Sequence, residues 1–539
     1  MDKNKLKIYL PLIFAGIVLA GILVGIQLGK TRNGTSLFGR QSQDKINEVI
    51  NYVKQNYVDT ISRSQLEEKA ITGMLQSLDP HSVYISPSEF HEANDPLLGG
   101  FEGIGVQFRL ERDSITVITP VSSGPSEKLG IKAGDRIVKI DGKNVASVKI
   151  KNNDVLRKLK GKKGTKVNVS IFRKGVKGLL DYTIVRDVIP LYSLDVSYMV
   201  EPSIGYIRLN NFSATTTDEM TKALKELNAN GMKKLILDLR GNGGGRLQAA
   251  IDVADEFLPE GKLIVYTKGI HHPRETAYAT SGGLFESGEL VVLIDEWSAS
   301  ASEIVAGAIQ DNDRGTIIGR RSFGKGLVQE ELDFKDGSAV RVTVARYYTP
   351  TGRCIQKSYK NGTEEYYNDY YHRILSGEME NPDSIHFADS LKFKTPKGKI
   401  VYGGGGIMPD IYVPIGKDTI YKYFNLLANK GLIYQFAFDY TDKNRRNLNY
   451  KSFEEFNRKF EISNSIYNDF INTTLNKGIK REGKDLTASD ARTKILLKAY
   501  IGRSILDNPG FYPLLNSIDE TFLKAVAVLK TGKTLITKK

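Results

Sequence analysis

At 539 residues the chain exceeds what one hydrophobic core usually supports, so roughly three or four folded units are expected. Apolar residues make up 40% and charged residues 26%, which excludes wholesale disorder. The net charge of +14 is spread from Lys3 to Lys539 with acidic residues interleaved, so it forms no nucleic-acid stripe and better suits an anionic membrane surface.

Residues 8–29 carry no charged side chain and lie between Lys3, Lys5 and Lys7 on one side and Lys30 and Arg32 on the other. At about 1.5 Å per residue the run crosses a bilayer core, and it exceeds the roughly 7–15 apolar residues of a cleavable signal. An uncleaved membrane anchor is therefore expected over 1–30, with the body outside the cytoplasm, in the periplasmic part of the cell envelope. Export followed by cleavage is the alternative. Gly21, Gly25 and Gly29 recur every fourth residue, a spacing compatible with helix pairing in a homo-oligomer.

Residues 31–95 read as a helical N-terminal region: Ile46, Val49, Ile50 and Val53 recur at helical spacing, and Leu78-Asp79-Pro80 ends the pattern. Residues 96–190 open with Gly99, Gly100, Gly103 and Gly105 and read as short strands around one helix near 152–160. Within them, Ala133 to Gly142 is a strand leading into an Asp-Gly turn.

Residues 191–415 alternate strands and helices: Lys234 to Asp238, a helix near 247–257, Leu290 to Ile294, and a helix from Ser302 to about Gln310. That alternation argues for a layered α/β core. Val328 to Phe334 and Ala339 to Tyr348 flank Lys335-Asp336-Gly337 as a hairpin. Residues 416–539 are expected to be mainly helical, with capping boxes at Thr487 to Asp490 and Ser517 to Glu520.

Amide hydrolysis needs a nucleophile, a base and donors for the developing oxyanion. Trp297-Ser298-Ala299-Ser300-Ala301-Ser302-Glu303 lies between a strand and a helix, where a serine on a tight turn would stand beside free helix N–H groups. The plainer reading is helix capping, with Ser302 as the cap. Lys325 sits between Gly324 and Gly326 in an apolar stretch, where desolvation would favour the neutral amine and make it a base. A solvated loop lysine is the alternative, whereas a phosphate-binding lysine lacks its Gly-x4-Gly-Lys-Ser/Thr surroundings. Asp238-Leu239-Arg240-Gly241-Asn242-Gly243-Gly244-Gly245 follows a strand and suits an oxyanion hole, a phosphate cradle or a flexible turn.

These three segments, in this order, resemble the carboxy-terminal processing peptidases, the tail-specific Ser-Lys proteases. The resemblance runs over about residues 42–415 and includes Leu78-Asp79-Pro80-His81-Ser82, Ala345-Arg346-Tyr347-Tyr348-Thr349-Pro350 and Gly406-Ile407-Met408-Pro409-Asp410. It implies Ser300 as nucleophile, Lys325 as general base and Gln329 orienting the lysine. It also implies an oxyanion hole from the amides of Ala301 and either Gly244 or Gly245, with Gly245 preferred. The β module resembles a PDZ domain, with Gly103-Ile104-Gly105-Val106 as the loop that would bind a terminal carboxylate while the peptide adds as a strand.

The implied architecture is a multidomain α/β protein: a PDZ-like module beside a crotonase/ClpP-like layered peptidase core, with helical N- and C-terminal regions. The implied activity is serine endopeptidase cleavage of proteins with accessible C-terminal tails, through an acyl-enzyme and without cofactor or metal. A catalytically inactive periplasmic PDZ scaffold is the alternative, disfavoured because Ser300, Lys325 and Gln329 are all present.

None of His81, His91, His271, His272, His372 and His386 falls in a motif suited to a Ser-His-Asp triad. His271 and His272, being adjacent, would point to opposite faces of a strand and make a poor zinc pair. Cys354 is the single cysteine, so no intramolecular disulfide exists, and it reads as incidental.

Overall fold

A computed structural model describes residues 11, 14–25 and 44–532, apart from 112, 122, 416–420, 446 and 483–485. Of the apolar run 8–29, residues 11 and 14–25 are described and helical, and the remainder, like the basic cluster before it, lies outside the described residues. Among the described residues no helix is long and apolar enough to cross a membrane.

The chain divides into two compact units, residues 1–74 and 75–539. In the first, the expected helical region is two helices. Helix α1 (Lys45–Asn56) starts at Asp44, whose carboxylate accepts from Asn47 N at 3.2 Å, and α2 (Arg63–Gln76) begins in this unit and ends two residues past its last residue. Ser62 and Gln65 cap α2 reciprocally, each main-chain N–H donating to the other's side chain at 3.1 and 3.2 Å.

The second unit opens with β1 (Val83–Ile85) and α3 (Phe90–Leu98), then β2 (Gly100–Gly103) leads into the glycine-opened module. There β3 (Val106–Glu111), β4 (Ser114–Pro120), β5 (Arg136–Ile140), β6 (Lys143–Asn144), β7 (Lys166–Phe172) and β8 (Leu179–Val185) form an antiparallel sheet of order β3-β4-β5-β7-β8, with β6 on β5. Helices α4 (Pro125–Lys128) and α5 (Asn152–Leu159) complete the module. Asp141 and Gly142, both at positive φ (46° and 74°), make the turn between β5 and β6, the geometry an Asp-Gly pair favours. Ile115, Val117, Ile137, Val155, Val167, Ile171 and Ile184 fill the core. Strand β3 is an outer edge of the sheet, and β9 (Asp187–Pro190) returns the chain beside β2.

The layered core holds two sheets. One has the order β10 (Leu194–Glu201), β11 (Ile204–Leu209), β12 (Lys234–Asp238), β15 (Glu289–Ile294), β16 (Thr316–Gly319), β21 (Ile411–Tyr412), all parallel except β10. Its apolar runs lack polar alternation because both faces are covered. Leu235, Leu237, Leu290, Val292 and Ile294 face a layer built from α6 (Thr216–Ala229), α7 (Leu247–Asp255) and α8 (Ala301–Asp311). Ile236, Val291 and Leu293 face Phe522, Ala525, Val526 and Leu529. Those four belong to the last helix among the described residues, Glu520–Thr531, so the C-terminal region completes the layered core as well as extending beyond it.

The second sheet joins β1, β13 (Leu263–Lys268), β14 (Glu275–Tyr278), β17 (Leu327–Asp333) and β18 (Ala339–Tyr348). The expected hairpin is β17–β18, with Gln329 opposite Thr343. Helix α9 (Thr363–Leu375) follows, and the helices described between Lys422 and Asn516 pack as a bundle around Tyr423, Leu427, Phe456, Phe470 and Leu497.

Two expected capping boxes are corrected. Thr487 lies inside the helix Leu486–Leu506 rather than before it. The last helix is capped by Asp519, which accepts from Phe522 N at 2.7 Å, while Ser517 Oγ bonds backward to Leu514 O. A carboxylate at a helix N-terminus is favoured by the macrodipole, and Arg240 pairs with the same Asp519 at 2.9 Å.

Candidate active site

Parallel pairing of β12 with β15 sets the loops that follow them side by side, at the C-terminal end of the sheet. They are laced together: Gly241 N donates to Asp295 Oδ1 at 2.9 Å, Ser298 Oγ to Leu239 O at 2.8 Å, and Ala299 N to Asn242 O at 3.0 Å. On this support Ser300 sits at the N-cap position of α8 with φ 55° and ψ −112°, a conformation that costs a non-glycine residue about 1–3 kcal/mol. Its hydroxyl makes no capping bond. Ser302, the expected cap, is instead in the first turn, where its Oγ donates to Asn242 O at 2.9 Å.

The carboxylate that satisfies the helix start is Glu303. It is fully buried and accepts from Ser300 N (2.8 Å), Gly324 N (2.7 Å), Lys325 N (2.9 Å) and Ser322 Oγ. One side chain thus ties the Ser300 turn to the Lys325 loop. Burial raises the pKa of Glu303, against the pull of those hydrogen bonds. Tyr347 adds a second tie, its hydroxyl lying 3.1 Å from Ser300 O and 2.8 Å from Lys325 O.

Lys325 is half-buried, and its Nζ donates to Gln329 Oε1 at 2.9 Å. Burial lowers its pKa, and the Arg341 guanidinium acts the same way, opposed by Glu303 and Asp79. No hydrogen bond joins its amine to Ser300 Oγ, although both groups line one cavity of about 570 Å³. Gln329, Ala301, Gly244 and Gly245 line the same cavity, so all six residues singled out for the core come together.

The two glycines differ. Gly244, at φ 102°, donates its N–H to Asn242 Oδ1 at 2.9 Å, and a Cβ there would lie 2.8 Å from Ser300 Cβ. Gly245, at φ 150°, bridges Phe212, and a Cβ there would lie 2.0 Å from Phe212 O. The N–H groups of Gly245 and Ala301 have no acceptor among the described residues.

His81 also stands near the lysine, a placement its sequence neighbours did not reveal. Its ring bonds Tyr366 Oη at 2.8 Å, and burial together with Lys325 holds its pKa at about 4, so the imidazole is neutral at physiological pH. His271 is exposed and His272 half-buried, and among the described residues no group of three His, Cys, Asp or Glu side chains could hold a metal ion.

In the β module Ile104 O accepts from Ser126 N (3.2 Å) and Ser126 Oγ (2.6 Å), and Gly105 O accepts from Val121 N (2.9 Å). With those carbonyls tied inward, the N–H groups of Ile104 and Gly105 have no acceptor among the described residues. Gly105 has φ 73°, and a Cβ on it would lie 2.9 Å from Ile189 Cδ1.

Residues 203–365 match the model of peptidase family S41, residues 103–184 that of the PDZ domain, and residues 26–88 that of the activating protease CtpB N-terminal domain. Residues 423–507 match a family of unknown function. The carboxy-terminal-processing protease of Bartonella bacilliformis is 39% identical over 347 residues, covering 64% of this chain and 79% of its own. The carboxy-terminal processing protease CtpA of Bacillus subtilis is 35% identical over 363 residues, covering 66% and 76%. A solved photosystem II D1 C-terminal processing protease aligns at 31% identity with a TM-score of 0.35, over 59% of this chain and 91% of its own. The S41 match encloses Ser300 and Lys325, the PDZ match encloses the Gly103–Val106 loop, and the chain belongs to the carboxy-terminal processing proteases, serine-type peptidases of family S41.

Proposed function

We propose that the chain is an endopeptidase that selects proteins by their C-terminal tails and cleaves them with a Ser300–Lys325 dyad. The observation that carries this reading is Ser300, held at positive φ at the head of α8 in one cavity with a lysine whose burial favours the neutral amine. In the reaction, neutral Lys325 takes the Ser300 Oγ proton as Oγ attacks the scissile carbonyl carbon. The resulting oxyanion is held by the N–H groups of Ala301 and Gly245, both without an acceptor among the described residues, while Gly244 serves to let the loop approach Ser300. The lysinium then protonates the leaving amine, and water, deprotonated by Lys325, hydrolyses the acyl-enzyme. Gln329 Oε1 keeps the lysine amine in place throughout.

Tail capture belongs to the PDZ module: the N–H groups of Ile104 and Gly105 receive the terminal carboxylate, and the tail adds to the free edge of β3. On the charge pattern of residues 1–32, the proposal includes a membrane tether with the body in the periplasm. The test is digestion of an unstructured protein with an apolar tail by the wild type, Ser300→Ala and Lys325→Ala. Both variants are expected to be inactive, and equal digestion by all three, or by none, would overturn the dyad.

A further inference from the structure

We propose that the turn Asp79-Pro80-His81-Ser82 is a positioning element of the active site: through the main-chain carbonyl of His81 it dictates which end of the Gln329 amide faces Lys325. The inference rests on the reading of Lys325 as the base. Gln329 Oε1 accepts from Lys325 Nζ at 2.9 Å while its Nε2 donates to His81 O at 2.5 Å.

A carboxamide has nearly the same shape at both ends, so its partners decide its orientation. A backbone carbonyl can only accept, so it takes the NH₂ end and turns the oxygen toward the lysine. A neutral amine has two N–H bonds and one lone pair. Giving one N–H to Oε1 leaves the lone pair for the Ser300 proton. In the reversed amide, the NH₂ group would donate into that lone pair and the base would be occupied.

The carbonyl is held from several sides. The Asp79 carboxylate, itself buried, accepts from His81 N (2.8 Å), Ser82 N (3.0 Å), Ser82 Oγ (2.6 Å) and Thr343 Oγ1 (3.1 Å). Thr343 N donates to Ser82 Oγ at 3.1 Å, and Thr343 is the residue opposite Gln329 in the β17–β18 ladder. The turn is therefore registered to Gln329 through one strand. From α9, Tyr367 Oη donates to Pro80 O at 2.8 Å, and Tyr366 Oη bonds the His81 ring.

The experiment measures kcat and KM on the tail-bearing substrate for Asp79→Ala, Asp79→Asn, Thr343→Val, Gln329→Ala and the Asp79→Ala/Gln329→Ala double variant. Asp79→Ala and Gln329→Ala are each expected to lose about tenfold or more in kcat, the scale of one lost hydrogen bond, with KM unchanged. Asp79→Asn keeps an acceptor for His81 N and should recover most of the loss. The double variant should be no slower than Gln329→Ala alone, because the turn acts only through that amide. Losses that multiply in the double variant would overturn the proposal. If Asp79→Ala fails to bind a tail peptide, and so is misfolded, Thr343→Val alone and combined with Gln329→Ala decides by the same criterion. Activity surviving in Lys325→Ala would instead remove the base reading. An inactive Lys325→Ala with multiplying Asp79 and Gln329 losses removes the positioning role alone.

Discussion

Asp311 and Arg353 form an ion pair 2.7 Å apart with both side chains sealed from solvent. Asp311 ends the helix whose head carries Ser300, and its Oδ2 also accepts from Thr351 Oγ1 at 2.6 Å. Arg353 spends further donors on Gln310 Oε1 (2.8 Å) and Tyr402 O (2.6 Å). Removing one partner strands a buried charge, which typically costs about 3–5 kcal/mol. Asp311→Ala and Arg353→Ala are each expected to lose stability on that scale in urea unfolding, and the double variant to lose much less than their sum. Additive losses would mean that the two charges are not coupled.

Lys325 should oppose stability for the same reason that it suits the proposed role of base. Its pKa is lowered on folding by burial and by Arg341, so the unfolded chain binds more protons than the folded one between the folded pKa and the usual lysine value. Stability contributed by this site therefore rises with pH through that window, and the cost is full below it. Lys325→Met is expected to abolish hydrolysis yet unfold at a higher temperature than wild type near neutral pH, with the gap narrowing as pH approaches about 10. In the wild type, kcat should fall as pH drops through the lysine pKa. A gap in unfolding temperature that widens with pH would contradict this.

The two glycines beside Ser300, Gly244 and Gly245, should separate structure from chemistry. Gly245→Ala places a methyl 2.0 Å from Phe212 O, a main-chain atom that cannot step aside, so folding is expected to suffer. Gly244→Ala presses less severely, on Ser300 Cβ and Ala299 O at 2.8 Å, so its expected effect is lost hydrolysis with a smaller loss of stability than Gly245→Ala and with tail-peptide binding retained. Thermal unfolding and peptide binding, measured beside activity, distinguish the two.

What was legible in the sequence was local. Ser300, Lys325 and the glycine run each sit in a short string whose composition already implies a tight turn, and the Asp-Gly turn and the β17–β18 hairpin follow from adjacent residues. What links those strings was not legible, because it depends on pairing at a distance. Glu303 is only the last residue of the serine-rich string until folding brings the amides of Gly324 and Lys325 to it. Tyr347 reads as one more strand tyrosine, and a backbone carbonyl such as that of His81 has no sequence signal at all. The final helix looks like part of an appendage because its amphipathic face does not reveal that it covers the core sheet.

The helical bundle should steady the PDZ module without contributing to tail binding. In β3 the side chains of Val106, Phe108 and Leu110 pack on the module's core, which leaves Arg109 on the opposite face. There its guanidinium lies 4.6 Å from the Tyr434 ring centroid and 5.7 Å from that of Phe438, both on the helix Leu432–Asn444. The same helix carries Asp442, 3.7 Å from Lys174 Nζ and placed so that a Cβ on Gly134 would lie 2.7 Å from its Oδ1. A cation–π interaction of this kind is worth about 0.5–2 kcal/mol. Arg109→Ala combined with Asp442→Ala is expected to speed amide hydrogen exchange in residues 432–444 and in the β3–β4 hairpin, while tail-peptide affinity changes less than about twofold, since both interactions are weak and neither involves the Ile104 and Gly105 amides. A tenfold fall in tail affinity would place this brace within the peptide site instead.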